Sequence, residues 1–308
     1  IDRSLRPVEA SGARGDGDEL HPGAQRGADE GGVVLEVLCD AVVVGECVGI
    51  DRGGPGGGVG PSGIGSAGLG REWEKVLFRE MLSSLLPSVP VYLCSDGEIL
   101  LVGGLAGLEG YALISGTGSL ALSRSSDGSL KRAGGYGYML GDEGSAYWIA
   151  HQALRRSLRS LESRDLNTHM LPSLLEGCSL SKAEDLIAYV HHQATKADIA
   201  KLAPLVTVFA KEGDALSIDI LSCAAKELVA LAVSVQNPAI TAKELVLAGG
   251  VLEKDPVVRP LFEEELKNVL PELRIIKARG TALDGACLLA ITKFRLNQDS
   301  SLSMHKNS

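Results

Sequence analysis

The chain has 308 residues, of which 45% are hydrophobic, and a formal net charge of −9 at pH 7. A chain of this length can form one large domain or two ordinary ones with a sizeable core. The first 110 residues hold 8 Lys and Arg against 17 Asp and Glu, so they account for the whole net charge. This balance argues against nucleic acid as a partner, because phosphate backbones require a basic footprint.

The sequence also argues against a membrane protein, a secreted protein and a protein built around a zinc site or disulfides. The sequence has no run of eighteen apolar residues, and its first residues, IDRSLRPVEASG, lack the basic and then apolar pattern of a secretory signal. We therefore expect a cytoplasmic protein with no membrane partner. The six cysteines are scattered without a CxxC motif, which argues against both a zinc site and a disulfide framework.

The first 70 residues differ in composition from the rest of the chain. They hold 19 of the 38 glycines, in polar stretches such as SGARGDGDEL and HPGAQRGADEGG. This composition is typical of disorder or flexible loops.

From residue 71 onward, helical and strand patterns alternate. REWEKVLFREMLSSLL predicts a helix, VPVYLCSD a strand that ends at Asp96, and residues 110–135 three strands separated by glycine turns. Helices are predicted at about 145–163, 181–194, 198–212 and 214–236, followed by strands in KELVLAGGVL and LRIIKA and a last helix in TALDGACLLAITKF. The alternation predicts an α/β class with two lobes.

Two short glycine turns follow apolar strands. In SGTGS, residues 115–119, successive N–H groups and two hydroxyls can point at one phosphate oxygen. In LAGGV, residues 247–251, the two glycines allow a flat ring to approach the backbone. Each pattern is also compatible with a plain turn.

Acidic residues lie near both strand and helix ends. Asp96 is predicted at the carboxyl end of a strand, where open α/β sheets bind ligands, but a carboxylate there can also be the N-cap of the next helix. Asp142 and Glu143 precede a helix for which Ser145 is a plausible N-cap, and acidic residues are favoured near a helix start. That explanation leaves the glycines of GGYGYMLGDEGSAYWI, residues 134–149, unexplained.

The order of these motifs, strand-Asp, GTGS, GGYGYMLGDEGSAYWI and LAGG, resembles that of the N-acetylglucosamine kinases and the related BadF/BadG/BcrA/BcrD ATPases over about residues 62–292. The resemblance implies a two-lobed α/β fold of the actin-like ATPase (ribonuclease H-like) type, with ATP in the cleft between the lobes. It also implies ATP-dependent phosphorylation of an amino sugar, most simply N-acetylglucosamine to its 6-phosphate, with ATP and Mg²⁺ as cofactors and a homodimeric assembly.

The resemblance assigns roles residue by residue. Asp96 resembles the catalytic base. The phosphate-binding residues are Gly116, Thr117, Gly118 and Ser119. The sugar-binding residues are Gly135, Tyr136, Gly137 and Asp142, with Tyr136 where the family usually has Trp. The adenosine-binding residues are Gly249, Gly250 and, more weakly, Ala200.

One part of the family pattern is missing. Residues 1–60 contain no DGGGT-type first phosphate loop, which predicts a truncated or out-of-frame N-terminus. We expect an atypical N-terminal lobe over residues 1–110, an ATPase lobe over residues 111–296 and a flexible tail over residues 297–308. Two alternatives stay open: a BadF/BcrA-type ATPase activator, although these carry an iron–sulfur cluster on cysteines for which no set is evident here, and a non-catalytic sugar-binding relative.

Overall fold

The computed structural model describes residues 42–46, 61–66, 69, 72–85 and 90–306. All of them belong to the larger of two units of the chain, residues 32–308. The rest of residues 1–60, including the Gly/Arg-rich stretches for which disorder was predicted, lies outside the described residues. In the described part of the chain, no helix combines the length and the apolar character needed to cross a bilayer.

A small sheet is formed by the first three strands, β1 (Val42–Glu46), β2 (Ser62–Ser66) and β3 (Val91–Ser95). Strand β2 pairs antiparallel with β1 and parallel with β3. Helix α1 (Glu72–Leu85) lies between β2 and β3 in sequence, and helix α2 (Asp96–Leu105) follows β3 directly. The parallel pair places the end of β3, and therefore Asp96, at one edge of this sheet.

A five-stranded sheet forms the second lobe, in the order β6-β5-β4-β7-β8. Its strands are β4 (Gly110–Ser115), β5 (Ser119–Arg124), β6 (Leu130–Gly134), β7 (Glu244–Ala248) and β8 (Arg274–Ile276). The β4-β5-β6 segment is an antiparallel meander, as the glycine and Asp-Gly turns predicted, whereas β7 and β8 add in parallel. Because β4 and β7 are parallel neighbours, the glycine turns that follow them lie side by side.

Helices cover this second sheet and bury most of the core. They are α3 (Ala146–Leu161), α4 (Met170–Gly177), α5 (Asp185–Ala188), α6 (Lys196–Ala200), α7 (Ala203–Lys211), α8 (Ala215–Ser234), α9 (Gly250–Lys254) and α10 (Val258–Val269), with one π-helical turn at Tyr189–Gln193. The predicted helix over 198–212 is divided into α6 and α7, and Pro204 stands in the first turn of the second. Proline is tolerated at that position because the first N–H groups of a helix have no partner within it.

The last helix, α11 (Ala282–Lys306), returns to the first lobe. A Cβ atom on Gly103 would lie 1.8 Å from the carbonyl oxygen of Thr281, and one on Gly285 would lie 1.9 Å from that of Ile99. Helices α2 and α11 therefore approach so closely that only glycine fits at these two positions. The pair buries its apolar side chains against strands of both sheets.

The last helix extends into the predicted tail. Strand β4 starts at Gly110, one residue before the predicted start of the second lobe, and α11 continues through Lys306 and packs on β1, β2 and β3. The predicted tail over residues 297–308 is thus helical as far as the structure describes it. Residues 297–306 contain neither glycine nor proline, so nothing in their sequence ends the helix.

Candidate active site

The turn between β4 and β5 has two unused backbone donors. The N–H of Gly116 donates to the carbonyl oxygen of Gly118 at 2.9 Å, which closes the turn. Within the described part of the chain, the N–H groups of Thr117 and Gly118 have no protein acceptor. Two adjacent N–H groups without acceptors are suited to an anionic oxygen.

The second glycine turn contacts the first. Gly249 has a φ of +91°, and a Cβ atom there would lie 2.3 Å from the carbonyl oxygen of Ser115 and 2.7 Å from the N–H nitrogen of Gly116. Any side chain at position 249 would therefore collide with backbone atoms. The structure brings together the residues that sequence analysis assigned to phosphate and adenosine.

A cavity of about 700 Å³ opens beside these turns. Gly116 and Thr117 line it on one side, Gly250 on another, and Ala200, Lys201 and Pro204 on the helical side. Ala200, the weakest of the predicted adenosine contacts, is thus on the wall of the same cavity. Its volume is within the range of small-molecule and cofactor sites.

Asp142 holds the first turn in place. Its side chain is buried, its backbone has a φ of +65°, and its carboxylate accepts a hydrogen bond from the Ser119 N–H at 3.2 Å. The other carboxylate oxygen is 2.6 Å from Nζ of Lys196 at the start of α6. Asp142 therefore joins the β4–β5 turn to a helix that lines the cavity.

The hydroxyl groups of two serines at the ends of the turn bind the segment that leads into α3. The Ser119 hydroxyl donates to the carbonyl oxygen of Glu143 at 2.6 Å, and the Ser115 hydroxyl donates to that of Gly144 at 2.8 Å. Ser119 was predicted to bind phosphate, but in this structure both its N–H and its hydroxyl hold the loop. Of the four predicted phosphate residues, Thr117 and Gly118 keep donors that a ligand can use.

The residues predicted to contact sugar divide into two groups. Gly135 and Gly137 have φ values of +69° and +85°, and Tyr136 between them is 67% exposed. The guanidinium of Arg132 donates to the carbonyl oxygen of Gly135 at 2.9 Å. These three residues form an open surface segment. Asp142, five positions after Gly137, is buried.

Asp96 is exposed at the carboxyl end of β3, as predicted. The N-cap of α2 is Ser95, whose hydroxyl oxygen accepts the N–H of Glu98 at 3.1 Å, so Asp96 is not the cap. The Asp96 carboxylate accepts the N–H of Gly97 at 2.8 Å. A Cβ atom on Gly97 would lie 2.3 Å from Cδ1 of Leu122 and 3.2 Å from Cδ2 of Leu120, both in β5. The start of α2 therefore packs against β5, and Asp96 beside it is exposed.

Cys94 in β3, two residues before Asp96, is fully buried. Burial, reinforced by the nearby Glu98 carboxylate, raises the pKa of Cys94 to about 11. In the described part of the chain all four cysteines are free, and no group of three or more His, Cys, Asp or Glu side chains that could hold a metal ion is present.

Lys196 was not among the predicted site residues. It is the first residue of α6, where the structure shows a capping box between Thr195 and Asp198. Nothing in that segment indicates that Lys196 pairs with Asp142, 54 positions earlier in the chain. The predicted N-cap of α3 is confirmed, since the Ser145 hydroxyl oxygen accepts the N–H of Trp148 at 3.2 Å.

Comparison with known proteins decides the family. Residues 48–290 match the model of the BadF/BadG/BcrA/BcrD ATPase family. The chain belongs to this family. Two curated family relatives are similar over 74% of the chain. The N-acetylmuramic acid/N-acetylglucosamine kinase of Clostridium acetobutylicum is 34% identical over 76% of its own length, and the N-acetyl-D-glucosamine kinase of Dictyostelium discoideum is 33% identical over 74% of its length.

Solved structures support the same fold for this BadF/BadG/BcrA/BcrD family member. A provisionally named N-acetylglucosamine kinase of Chromobacterium violaceum superposes with a TM-score of 0.56 at 26% identity, over 70% of this chain and 72% of its own. A second, from Porphyromonas gingivalis, has a TM-score of 0.51 at 18% identity over the same shares. The predicted two-lobed α/β fold of the actin-like ATPase type and the predicted family are both confirmed.

Proposed function

We propose that this protein transfers the γ-phosphoryl group of ATP to an amino sugar, most simply converting N-acetylglucosamine to its 6-phosphate. The observation that carries the proposal is the pair of acceptor-free N–H groups at Thr117 and Gly118, beside a cavity that Gly250 also lines. The names of the two curated relatives, both kinases of N-acetylated amino sugars, support the choice of substrate class.

In this proposal the nucleotide occupies the cavity next to the two glycine turns. Thr117 and Gly118 donate to phosphate oxygens, and Gly116 keeps the loop closed without a side chain between backbone and ligand. On the adenosine side, Gly249 lets its turn contact the β4–β5 turn, Gly250 leaves room at the cavity wall, and Ala200 packs against the adenosine from α6. Ser119 belongs to the site as the residue that fixes the loop, through its bonds to Asp142 and Glu143.

The sugar is proposed to bind between Asp96 and the Gly135–Gly137 segment. Asp96 accepts the proton of the sugar hydroxyl as that oxygen attacks the γ-phosphorus, and the bond from phosphorus to the ADP oxygen breaks. Catalysis of this kind depends mostly on positioning and electrostatics. Gly135, Tyr136 and Gly137 contact the sugar. Asp142, which the family resemblance assigned to the sugar, is buried and bound to the Ser119 N–H and to Lys196, so in this proposal it fixes the β4–β5 turn beside the sugar.

Mg²⁺ is proposed to enter on the phosphates of ATP. Magnesium commonly binds through substrate phosphates, waters and only one or two carboxylates. Bound there, it would neutralise charge on the phosphoryl group. We also propose a cytoplasmic homodimer whose ligands are sugar and ATP, with no nucleic-acid or membrane partner.

A coupled assay of ADP release tests the function and separates the alternatives. The full chain is incubated with ATP, Mg²⁺ and, in turn, N-acetylglucosamine, N-acetylmuramic acid, glucosamine and glucose. We expect ADP release that depends on an N-acetylated amino sugar, with the phosphorylated sugar detected by mass spectrometry. Sugar-independent ADP release would favour the ATPase activator. Sugar binding by calorimetry without ADP release would favour the non-catalytic relative.

The role of Asp96 is tested by Asp96→Asn. A general base contributes about 10²–10⁴-fold to the rate, so kcat should fall by at least about a hundredfold, with a smaller change in sugar affinity. Since Ser95 caps α2, the melting temperature should stay the same. Ser95→Ala is the matched control, because loss of the cap should cost about 0.5–2 kcal/mol of stability without removing the base. Near-normal kcat in Asp96→Asn would contradict the assignment.

A further inference from the structure

Lys196 places its charge directly on the β4–β5 turn. A Cβ atom on Gly118 would lie 2.9 Å from Nζ of Lys196 and 2.9 Å from each carboxylate oxygen of Asp142. The ammonium group therefore lies against the backbone of Gly118, in the same turn as the acceptor-free N–H groups. A side chain at position 118 would displace the Lys196–Asp142 pair, so glycine is what lets the pair approach the turn.

The ammonium group has hydrogen-bonding capacity left. Its one partner among the described residues is the Asp142 carboxylate at 2.6 Å, and a lysine carries three N–H donors. The side chain of Lys196 is 30% exposed, whereas that of Asp142 is 4% exposed. The buried partner thus anchors a cation whose outer side remains open to a ligand.

The local charge balance also requires a cation here. Asp142 is a buried carboxylate next to the turn, and unpaired it would repel the phosphates of a nucleotide bound at Thr117 and Gly118. The acceptor-free N–H groups of the turn are neutral donors. Lys196 both neutralises Asp142 and adds positive charge where the turn offers its donors.

We propose that Lys196 binds the terminal phosphates of the nucleotide directly, and that Asp142 is a positioning residue that holds the ammonium group over the β4–β5 turn. This inference rests on the proposed function, because it assigns a further residue to the same nucleotide site. The chemistry it recognises is a nucleoside di- or triphosphate, since a monophosphate carries no terminal phosphate to reach Lys196.

The experiment compares affinities for ATP, ADP and AMP by calorimetry in the full chain and in Lys196→Gln. The loss should be at least about tenfold for ATP, the size expected of one charge-assisted hydrogen bond, and close to none for AMP. Lys196→Arg should retain the preference for ATP, because it keeps a cation at the position. Lys201→Gln is the matched control: Lys201 lies on the cavity wall beside Ala200 and pairs with Asp198, so any loss there should be similar for all three nucleotides.

A double variant separates direct binding from neutralisation of Asp142. Lys196→Gln leaves a buried carboxylate unpaired, which can destabilise the loop by itself. Lys196→Gln with Asp142→Asn removes both charges and keeps a neutral hydrogen-bonding pair. We expect this double variant to fold and still to bind ATP at least about tenfold more weakly than the wild type. Full recovery of ATP affinity would overturn direct binding.

The outcomes distinguish this inference from the function on which it rests. If the wild-type chain binds ATP and phosphorylates sugar while Lys196→Gln keeps the wild-type ratio of ATP to AMP affinity, Lys196 is not a phosphate ligand and the proposed function stands. If the wild-type chain binds neither ATP nor ADP, both the proposed function and the role of Lys196 are wrong.

Discussion

The glycine-rich stretch before α3 has two parts with opposite environments. In the first part, Tyr136, Tyr138, Met139 and Leu140 are 67%, 46%, 82% and 81% exposed. In the second part, Asp142 and Ser145 are buried, and the backbone of residues 143, 144 and 146 is hydrogen-bonded to the β4–β5 turn and its ends. One continuous motif therefore supplies an open surface segment and, directly after it, a hydrogen-bonded segment, residues 142–146, which we call the frame.

The glycines serve a different purpose in each part. Gly137 and Gly144 both have positive φ values, +85° and +76°. A Cβ atom on Gly137 would meet nothing within 4 Å, whereas one on Gly144 would lie 2.6 Å from Cγ of Leu228 and 2.8 Å from the carbonyl oxygen of Ala224. Gly137 is needed only for its backbone conformation, and Gly144 is needed for its backbone conformation and for close packing on α8.

The largest expected effect comes from substituting these two glycines in parallel. Gly144→Ala should lower the free energy of unfolding by about 2–5 kcal/mol, from left-handed strain of about 1–2 kcal/mol and overpacking of about 1–3 kcal/mol. Gly137→Ala should cost about 1–2 kcal/mol, from strain alone. Urea denaturation of the two variants measures the difference. Equal losses would mean that both parts of the stretch are equally constrained.

Asp142→Asn tests the charge that holds the frame together. Asparagine tolerates the left-handed conformation at residue 142 about as well as aspartate, so the backbone should not change. The carboxylate contacts with Lys196 and the Ser119 N–H become neutral. We expect a loss of about 1.5–3 kcal/mol in the free energy of unfolding, measured by thermal and urea denaturation.

A second variant at the same position separates charge from backbone. Asp142→Ala should be less stable than Asp142→Asn, because alanine also disfavours the φ of +65°. An Asp142→Asn protein as stable as the wild type would show that the Lys196 pair contributes no net stability. In that case the pair would be retained for ligand binding alone.

Parts of this site follow from local sequence signals. A strand followed by a glycine turn predicted the β4–β5 turn, and the segment SAYW predicted the Ser145 cap, because both depend on neighbouring residues. Resemblance to a known family predicted the fold and the order of the lobes. Local signals also left Asp96 open between a ligand-site carboxylate and an N-cap, and only the structure identified Ser95 as the cap.

Other parts depend on distant residues and had no sequence signal. The Lys196–Asp142 pair joins positions 54 apart, and the two serine hydroxyls of the β4–β5 turn are occupied by carbonyl groups more than 20 positions away. Such pairings are set by how strands and helices pack, which periodicity does not report. For the same reason, the return of α11 to the first sheet was not evident from its own amphipathic pattern.

Ser145→Ala tests the end of the frame where α3 begins. The hydroxyl oxygen of this buried serine accepts the Trp148 N–H, and its loss leaves a helix donor unpaired. We expect a decrease of about 0.5–2 kcal/mol in the free energy of unfolding, whereas Ser145→Gly should cost only a few tenths through the cap itself. If the two variants lose the same amount, the interaction at Ser145 is not mainly that of an N-cap.

The smallest expected effect on stability is at Tyr136, in the open part of the stretch. Its side chain is 67% exposed, and exposed substitutions usually change stability by less than about 0.5 kcal/mol. Tyr136→Ala should therefore melt within a degree or two of the wild type. If the ring covers the bound sugar, the same variant should raise the sugar KM several-fold, because burying about 40 Å² of apolar surface is worth about 1 kcal/mol.

The control for Tyr136 is Met139→Ala in the same segment, at a side chain that is 82% exposed and has no proposed ligand. We expect neither its stability nor its sugar KM to change, so a rise in KM confined to Tyr136→Ala would identify the ring as the contact. Tyr136→Trp should restore or lower KM, since a larger ring covers more of the sugar. If Tyr136→Ala lowers the melting temperature as much as Ser145→Ala does, the segment is part of the frame and the division between the two parts of the stretch is wrong.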